Sequence, residues 1–157
     1  MPKIYLETII HSCPSICFDL SRSIDLHVIS TQQTNEKAIA GVTSGLINLN
    51  ESVTWEATHF GIKQQLTSRI VDFVYPNYFR DIQERGIFKY FTHDHYFELK
   101  SNDSTLMIDI FDFESPLGVL GKLANKLLVT NYMKNLLIKR NQIIKEFAES
   151  EKYKLVV

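Results

Sequence analysis

His93 and His95, one residue apart in the run FTHDHYFELK, and Asp109 in the following run STLMIDIF are the residues whose types and spacing could do chemistry. Successive side chains of a strand point to opposite faces, so Phe91, His93, His95 and Phe97 share one face while Thr92, Asp94 and Tyr96 take the other. A chain reversal near Asn102 sets His95 opposite about Asp109 and Phe97 opposite about Met107. Opposed side chains stand about 4.5–5.5 Å apart at Cβ, close enough for an imidazole–carboxylate hydrogen bond. His95 and Asp109 are therefore the candidate catalytic pair. A neighbouring anion raises a histidine pKa and burial lowers it, so the spacing leaves the protonation state open.

H-x-H is also a metal-ligand spacing in β-barrel enzymes of the cupin type, which add a Glu about four or five residues later and another His in a later strand. Here Glu98 follows His95 by three residues, no histidine comes after it, and His59 and Glu56 lie far away in sequence. These residues do not complete a set of three or more ligands, so neither a metal nor a cofactor is expected.

The elements that position these side chains follow from periodicity. KIYLETIIH (3–11) is rich in β-branched and aromatic residues and predicts a first strand. Pro14 then opens a short helix capped by Ser12 or Cys13 and running to about Ser21, and a second short helix spans about Ile24 to Ile29. From Lys37 to Phe113 the chain is almost continuously strand-like, with turn residues between antiparallel hairpins. Candidate strands lie at about 36–41, 44–48, 52–60, 62–74, 78–85, 88–99 and 104–113, eight candidates with the first, from which a sheet of about seven strands is expected. Ser115 and Pro116 start a long amphipathic helix, with Leu120, Leu123, Leu127, Met133, Leu136, Leu137, Ile144 and Phe147 at three- and four-residue steps. Lys122, Lys126, Lys134, Lys139, Arg140 and Lys145 make that helix basic, and the closing EKYKLVV reads as a frayed tail.

At 157 residues one domain covering 1–157 is expected. The chain has 17 basic and 18 acidic residues, a net charge of -1, 45% apolar residues and no apolar run long enough to span a bilayer. That balance supplies no global field to gather nucleic acid, and no integral membrane segment is expected. The N-terminus lacks signal-peptide character, which makes the cytoplasm the expected location. Cys13 and Cys17 fall within one helical turn and read as small apolar residues rather than a disulfide.

The order of strand, two short helices, antiparallel strands and terminal helix predicts an α+β fold whose curved sheet wraps the helix, leaving large aromatics or a cavity between them. TIIHSCPSICFDLSRSIDLH, GVTSGLINLNESVTWEATHFG, LTSRIVDF, FKYFTHDHYFE and DFESPLGVLGKLANKLLVTNYMKNLLIKRN carry, essentially end to end, a pattern that resembles the START-like (SRPBCC) superfamily. That resemblance implies the helix-grip fold of the birch-pollen allergen and of polyketide cyclase-like proteins. Within the superfamily the chain is similar to small bacterial proteins called cyclase/dehydrase or ligand-binding, some relatives of which carry a cell-division-inhibitor label. Carriers, sensors and enzymes all share the fold, so it does not assign an activity.

The expected partner is a small hydrophobic molecule such as a lipid, isoprenoid, polyketide or aromatic metabolite, bound by a carrier or sensor that is a monomer or weak homodimer. Its expected wall is Trp55, Phe91, Phe97, Met107, Phe111, Leu127 and Met133, with His59, His93, His95 and Asp109 orienting a polar group. Trp55 shares a strand face with Val53, Ala57 and His59. Arg69, Arg80 and Arg85 are expected on the solvated outer face, and Gly118 and Gly121 form an expected compliant gate. The alternative is a cyclase, dehydratase or isomerase in which His95 and Asp109 handle a proton. G-x-S-x-G, G-x-G-x-x-G and P-loop motifs are absent.

Overall fold

Alternating apolar and polar residues in the middle of the chain pleat into one antiparallel seven-stranded sheet, which the computed structural model describes over residues 2–100, 103–115 and 124–157. The elements are β1 (Lys3–Ile10), α1 (Pro14–Ser21), α2 (Ile24–Ser30), β2 (Lys37–Gly41), β3 (Ser52–His59), β4 (Ile62–Val74), β5 (Tyr78–Arg85), β6 (Tyr90–Lys100), β7 (Ser104–Glu114) and α3 (Ala124–Ala148). The strand order is β1-β7-β6-β5-β4-β3-β2. Only the β1–β7 adjacency joins strands distant in sequence. The other neighbours are hairpins, as their turn residues require.

Cys13 is the N-cap of α1 and Pro14 opens it, where a missing N–H costs nothing. α2 is capped by Ser23, whose Oγ accepts from Leu26 N. Phe18 and Leu20 on α1 and Ile24 and Leu26 on α2 are buried against one end of the sheet with Phe79, Phe97, Met107 and Phe147. Ile4, Phe88, Phe91, Phe111, Phe113 and Leu137 form a second apolar cluster. The 25 described residues of α3 span roughly 37 Å at about 1.5 Å per residue, enough to touch both clusters. Among the described residues no helix is long and apolar enough to cross a membrane.

Two expectations are corrected. Residues 44–48 are not a strand: only one bridge, Ser23 to Leu46, forms there. The segment's backbone is occupied by the α1–α2 junction instead, with Gly45 O accepting from Ile24 N and Ile47 N donating to Arg22 O. The C-terminal tail is not frayed either. Glu151–Leu155 form a 3-10 helix, Val156 is buried, and its carbonyl accepts from Ser23 Oγ at 2.8 Å. Arg140, one of the residues that make the helix basic, is buried. It sits three residues after Leu137 and four before Ile144, on the stripe that faces the sheet.

Arg69 and Arg80 do lie on the outer face, paired with Glu84 and Asp94. Cys13 and Cys17 are free thiols. The start of the terminal helix, with the expected gate at Gly118 and Gly121, lies outside the described residues, as does the turn at 101–102.

Candidate functional site

The β6–β7 ladder pairs His95 with Asp109 and Phe97 with Met107, the register expected from the turn near Asn102. On the other flank β5 pairs Asp81 with His93 and Phe79 with His95. Two carboxylates therefore bracket the two imidazoles across three adjacent strands, all on the face toward α3. Each histidine bonds the carboxylate diagonal to it. His93 Nε2 lies 2.9 Å from Asp109 Oδ1, and His95 Nε2 lies 3.0 Å from Asp81 Oδ1. His95 Nδ1 stands 3.1 Å from Asp109 Oδ1, an ionic contact too poorly aligned to be a directed hydrogen bond.

α3 supplies the remaining partners. Asn141 Nδ2 donates to Asp109 Oδ2 at 2.7 Å, and Arg140 Nη1 lies 3.4 Å from Asp109 Oδ1 while its Nη2 donates to Ser21 O at 2.9 Å. Asp109 is fully buried and the histidines nearly so. The rings of His93 and His95 are 3.8 Å apart at their centroids, and Phe79 stacks on His95 at 4.1 Å.

Burial raises the Asp109 pKa, yet the bonds from His93 and His95 and the Arg140 charge hold it well below the usual carboxylate range. Asp81 is likewise lowered, its burial outweighed by His95 and His93. Burial pulls His95 down, but its two carboxylate partners leave its pKa raised. Burial and the neighbouring His95 charge both lower His93. These directions favour the ionised form of Asp81 and Asp109, the cationic form of His95 and the neutral form of His93. Opposite charges brought together in this way offset part of the desolvation cost of a buried ionic cluster.

This cluster borders a cavity of about 350 Å3 between the sheet and α3. Asp81, His93, His95 and Arg140 reach its surface. The rest of the wall is largely apolar, with Val53, Trp55, Ala57 and Ile70 from β3 and β4, Phe88, Phe91 and Phe111, and Met133, Leu136 and Leu137 from α3. A second polar group occupies the β3 side. His59 Nδ1 lies 2.8 Å from Tyr132 Oη, His27 Nε2 lies 3.2 Å from Glu36 Oε1, and the His27 ring stacks on Trp55 at 4.2 Å. Burial lowers the His59 pKa, whereas Glu36 is lowered by His27 and His59 against the opposing effect of its own burial. Gln64 Oε1 on this wall is buried without a hydrogen-bond partner among the described residues.

Of the expected site residues, Trp55, His59, Phe91, His93, His95, Phe111 and Met133 border the cavity. Phe97 and Met107 do not. They are packed under α1, where Phe18 meets Phe97 at a 5.3 Å ring separation and Ser21 Oγ lies 3.6 Å from Met107 Sδ. Leu127 is 65% exposed. Asp109 does not reach the cavity surface, so it can act on a guest only through the histidines. Sequence reasoning missed Asp81 as a member of the site, although it shares strand parity with Phe79. It also missed Arg140 and Asn141, for which the signal was their place on the apolar stripe of α3.

No protein-family model matches the sequence, and no curated protein matches it. Solved structures do match. A START superfamily protein from Mycobacterium smegmatis superimposes with a TM-score of 0.70 at 10% identity, over 94% of this chain and 97% of that one. Protein TTHA0849 from Thermus thermophilus gives 0.70 at 15% identity, over 91% and 97% of the two chains. Ginseng major latex-like protein 151, from Panax ginseng, gives 0.66 at 15% identity, over 95% and 98%. At these identities the likeness is one of fold. With its seven-stranded antiparallel sheet clasping a long C-terminal helix, the chain has the START-like (SRPBCC) helix-grip fold.

Proposed function

We propose that this protein binds a compact, mostly apolar small molecule between the sheet and α3, as a carrier or sensor. The observation that carries the reading is the cavity of about 350 Å3 with an apolar wall and two separate groups of polar side chains. Ligand pockets run from about 300 to 1,000 Å3, and this one lies at the small end, which favours a ring-containing metabolite or short isoprenoid over a long acyl lipid. Burial of such a guest contributes about 25 cal/mol per Å2 of apolar surface. A polar atom on the guest is oriented by His93 and Asp81, and a donor at its other end meets the unpartnered Gln64 Oε1.

Trp55 is the single tryptophan and borders the cavity, so it reports occupancy without a label. Titration with monoterpenoid, polyphenol and aromatic-acid panels is expected to change its fluorescence saturably at one molecule per chain, and native mass spectrometry should detect the same complex. No saturable response across the panel, with no co-purifying compound, would reject the reading. Proton-transfer catalysis of the cyclase, dehydratase or isomerase kind is a second reading, supported by the His95–Asp81 contact at the cavity surface. It predicts that His95→Ala keeps binding and abolishes product. A panel member bound but unchanged by the wild type leaves the carrier reading.

A further inference from the structure

We infer that Asp81, His93 and His95 form a binding site for one divalent transition-metal ion on the β5–β6 wall of the cavity. One ligand atom from each residue falls within 4.8 Å of the other two. The H-x-H spacing alone lacked a third ligand, and the neighbouring strand provides it, because Asp81 is the direct cross-strand partner of His93.

Asp109 is what makes the arrangement specific. It is hydrogen-bonded with His93 Nε2 at 2.9 Å and lies in ionic contact with His95 Nδ1 at 3.1 Å. The other nitrogens, His93 Nδ1 and His95 Nε2, are thereby turned toward Asp81 Oδ1, at 4.0 and 3.0 Å. A buried carboxylate fixing the far nitrogen of an imidazole is the usual support of a histidine ligand, and Asp109 does this by hydrogen bond for His93 and by ionic contact for His95. Asn141 and Arg140 in turn hold Asp109.

Metal bonds of about 2.0–2.2 Å set ligand-to-ligand distances of roughly 3.0–3.5 Å. The His95–Asp81 distance already meets this, and His93 Nδ1, 4.0 Å from Asp81 Oδ1, requires a closure of about 1 Å or less; the Asp81 side chain keeps 17% exposure and lies at the cavity surface. Two imidazoles with one carboxylate suit zinc, iron(II) or cobalt(II) and disfavour magnesium and calcium, which prefer oxygen ligands. Three protein ligands leave coordination positions open toward the cavity, where the ion would hold water or an oxygen of the guest. Arg140, reaching in from α3, balances one of the two carboxylate charges, so a divalent ion leaves the cluster with a net charge of about +1 when both histidines are neutral.

The test uses untagged protein treated with EDTA, dialysed, and titrated with zinc chloride by calorimetry. One ion per chain with a micromolar or tighter Kd is expected. Asp81→Asn, which keeps side-chain volume, should weaken it at least 30-fold, and His11→Gln, at an exposed histidine outside the cavity, should not change it. Absence of saturable binding in the wild type, or equal binding by Asp81→Asn, overturns the site. Should Asp81→Asn fail to fold, the cobalt(II) spectrum of the wild type decides. Strong visible bands from four- or five-coordinate cobalt support the site, and the weak spectrum of the hydrated ion overturns it. No organic molecule enters these titrations, so their failure leaves the proposed apolar guest untouched, and an unresponsive Trp55 leaves the metal site standing.

Discussion

Asp109 sits at zero exposure with His93, His95, Arg140 and Asn141 around it, so its removal strands a buried cation and several donors. Breaking a buried ionic cluster by removing one partner costs about 3–5 kcal/mol. Asp109→Ala is expected to lower the unfolding free energy by that amount in urea denaturation; a loss under about 1 kcal/mol would mean the cluster is not held by its central carboxylate. The two thiols differ in the same residue-level way. Burial pushes the Cys17 pKa up to about 11, whereas Cys13 is exposed. Iodoacetamide at pH 8 should modify Cys13 in the native protein and leave Cys17 intact, as read by peptide mass spectrometry. Equal modification would require the α1 contact with the sheet to open frequently. His93, His95 and Asp109 were legible from alternation and one hairpin count. Asp81 was not, because the β5–β6 ladder stops at Ile82 and the connection is shaped by the Gln83 side chain, which bonds both backbone groups of Phe88. No turn signature encodes that geometry.

At the scale of elements, Ser23 does two jobs. Its Oγ caps α2 by accepting from Leu26 N and holds the chain end by donating to Val156 O. Loss of a serine cap costs about 0.5–2 kcal/mol and a net hydrogen bond about 1 kcal/mol. Ser23→Ala should therefore destabilise by about 1.5–3 kcal/mol in thermal or urea unfolding, and deletion of residues 156–157 should reproduce part of the loss. If deletion changes nothing, the buried Val156 is only resting on the surface of α2. Composition marked the tail as polar and frayed, since only Val156 is buried there and the hydroxyl that secures it lies 133 residues away. Arg140 was missed for a related reason. Its charge argued for solvent while its spacing from Leu137 and Ile144 argued for the interior, and spacing won because Asp109 was waiting there.

For the molecule as a whole, α1 and α2 fill one end of the concave sheet and leave the space beside β3 and β4 open. That division explains why Phe97 and Met107, equal to Phe91 and Phe111 in strand parity, ended in packed core instead of cavity wall. Alternation reports which face a side chain takes, not which part of that face a helix covers. Filling the open part tests it. Ala57→Phe, on the β3 wall, should abolish the Trp55 response to ligands while changing stability by less than about 1 kcal/mol, since the new ring occupies existing space. A destabilisation of about 3 kcal/mol would indicate a wall with no room to spare.

The cavity's two sides are not equally open to change. Val53, Ala57, Leu66 and Ile70 on β3 and β4 touch the guest space with side chains that bind nothing else by hydrogen bond, so their sizes and shapes can be exchanged to retune selectivity. His93 and His95 are tied through Asp109 to the residues that fasten α3 to the sheet, so any redesign that alters them also loosens the grip itself. Specificity in this scaffold is therefore expected to diversify from the β3–β4 side, with the opposite wall kept as a fixed anchor.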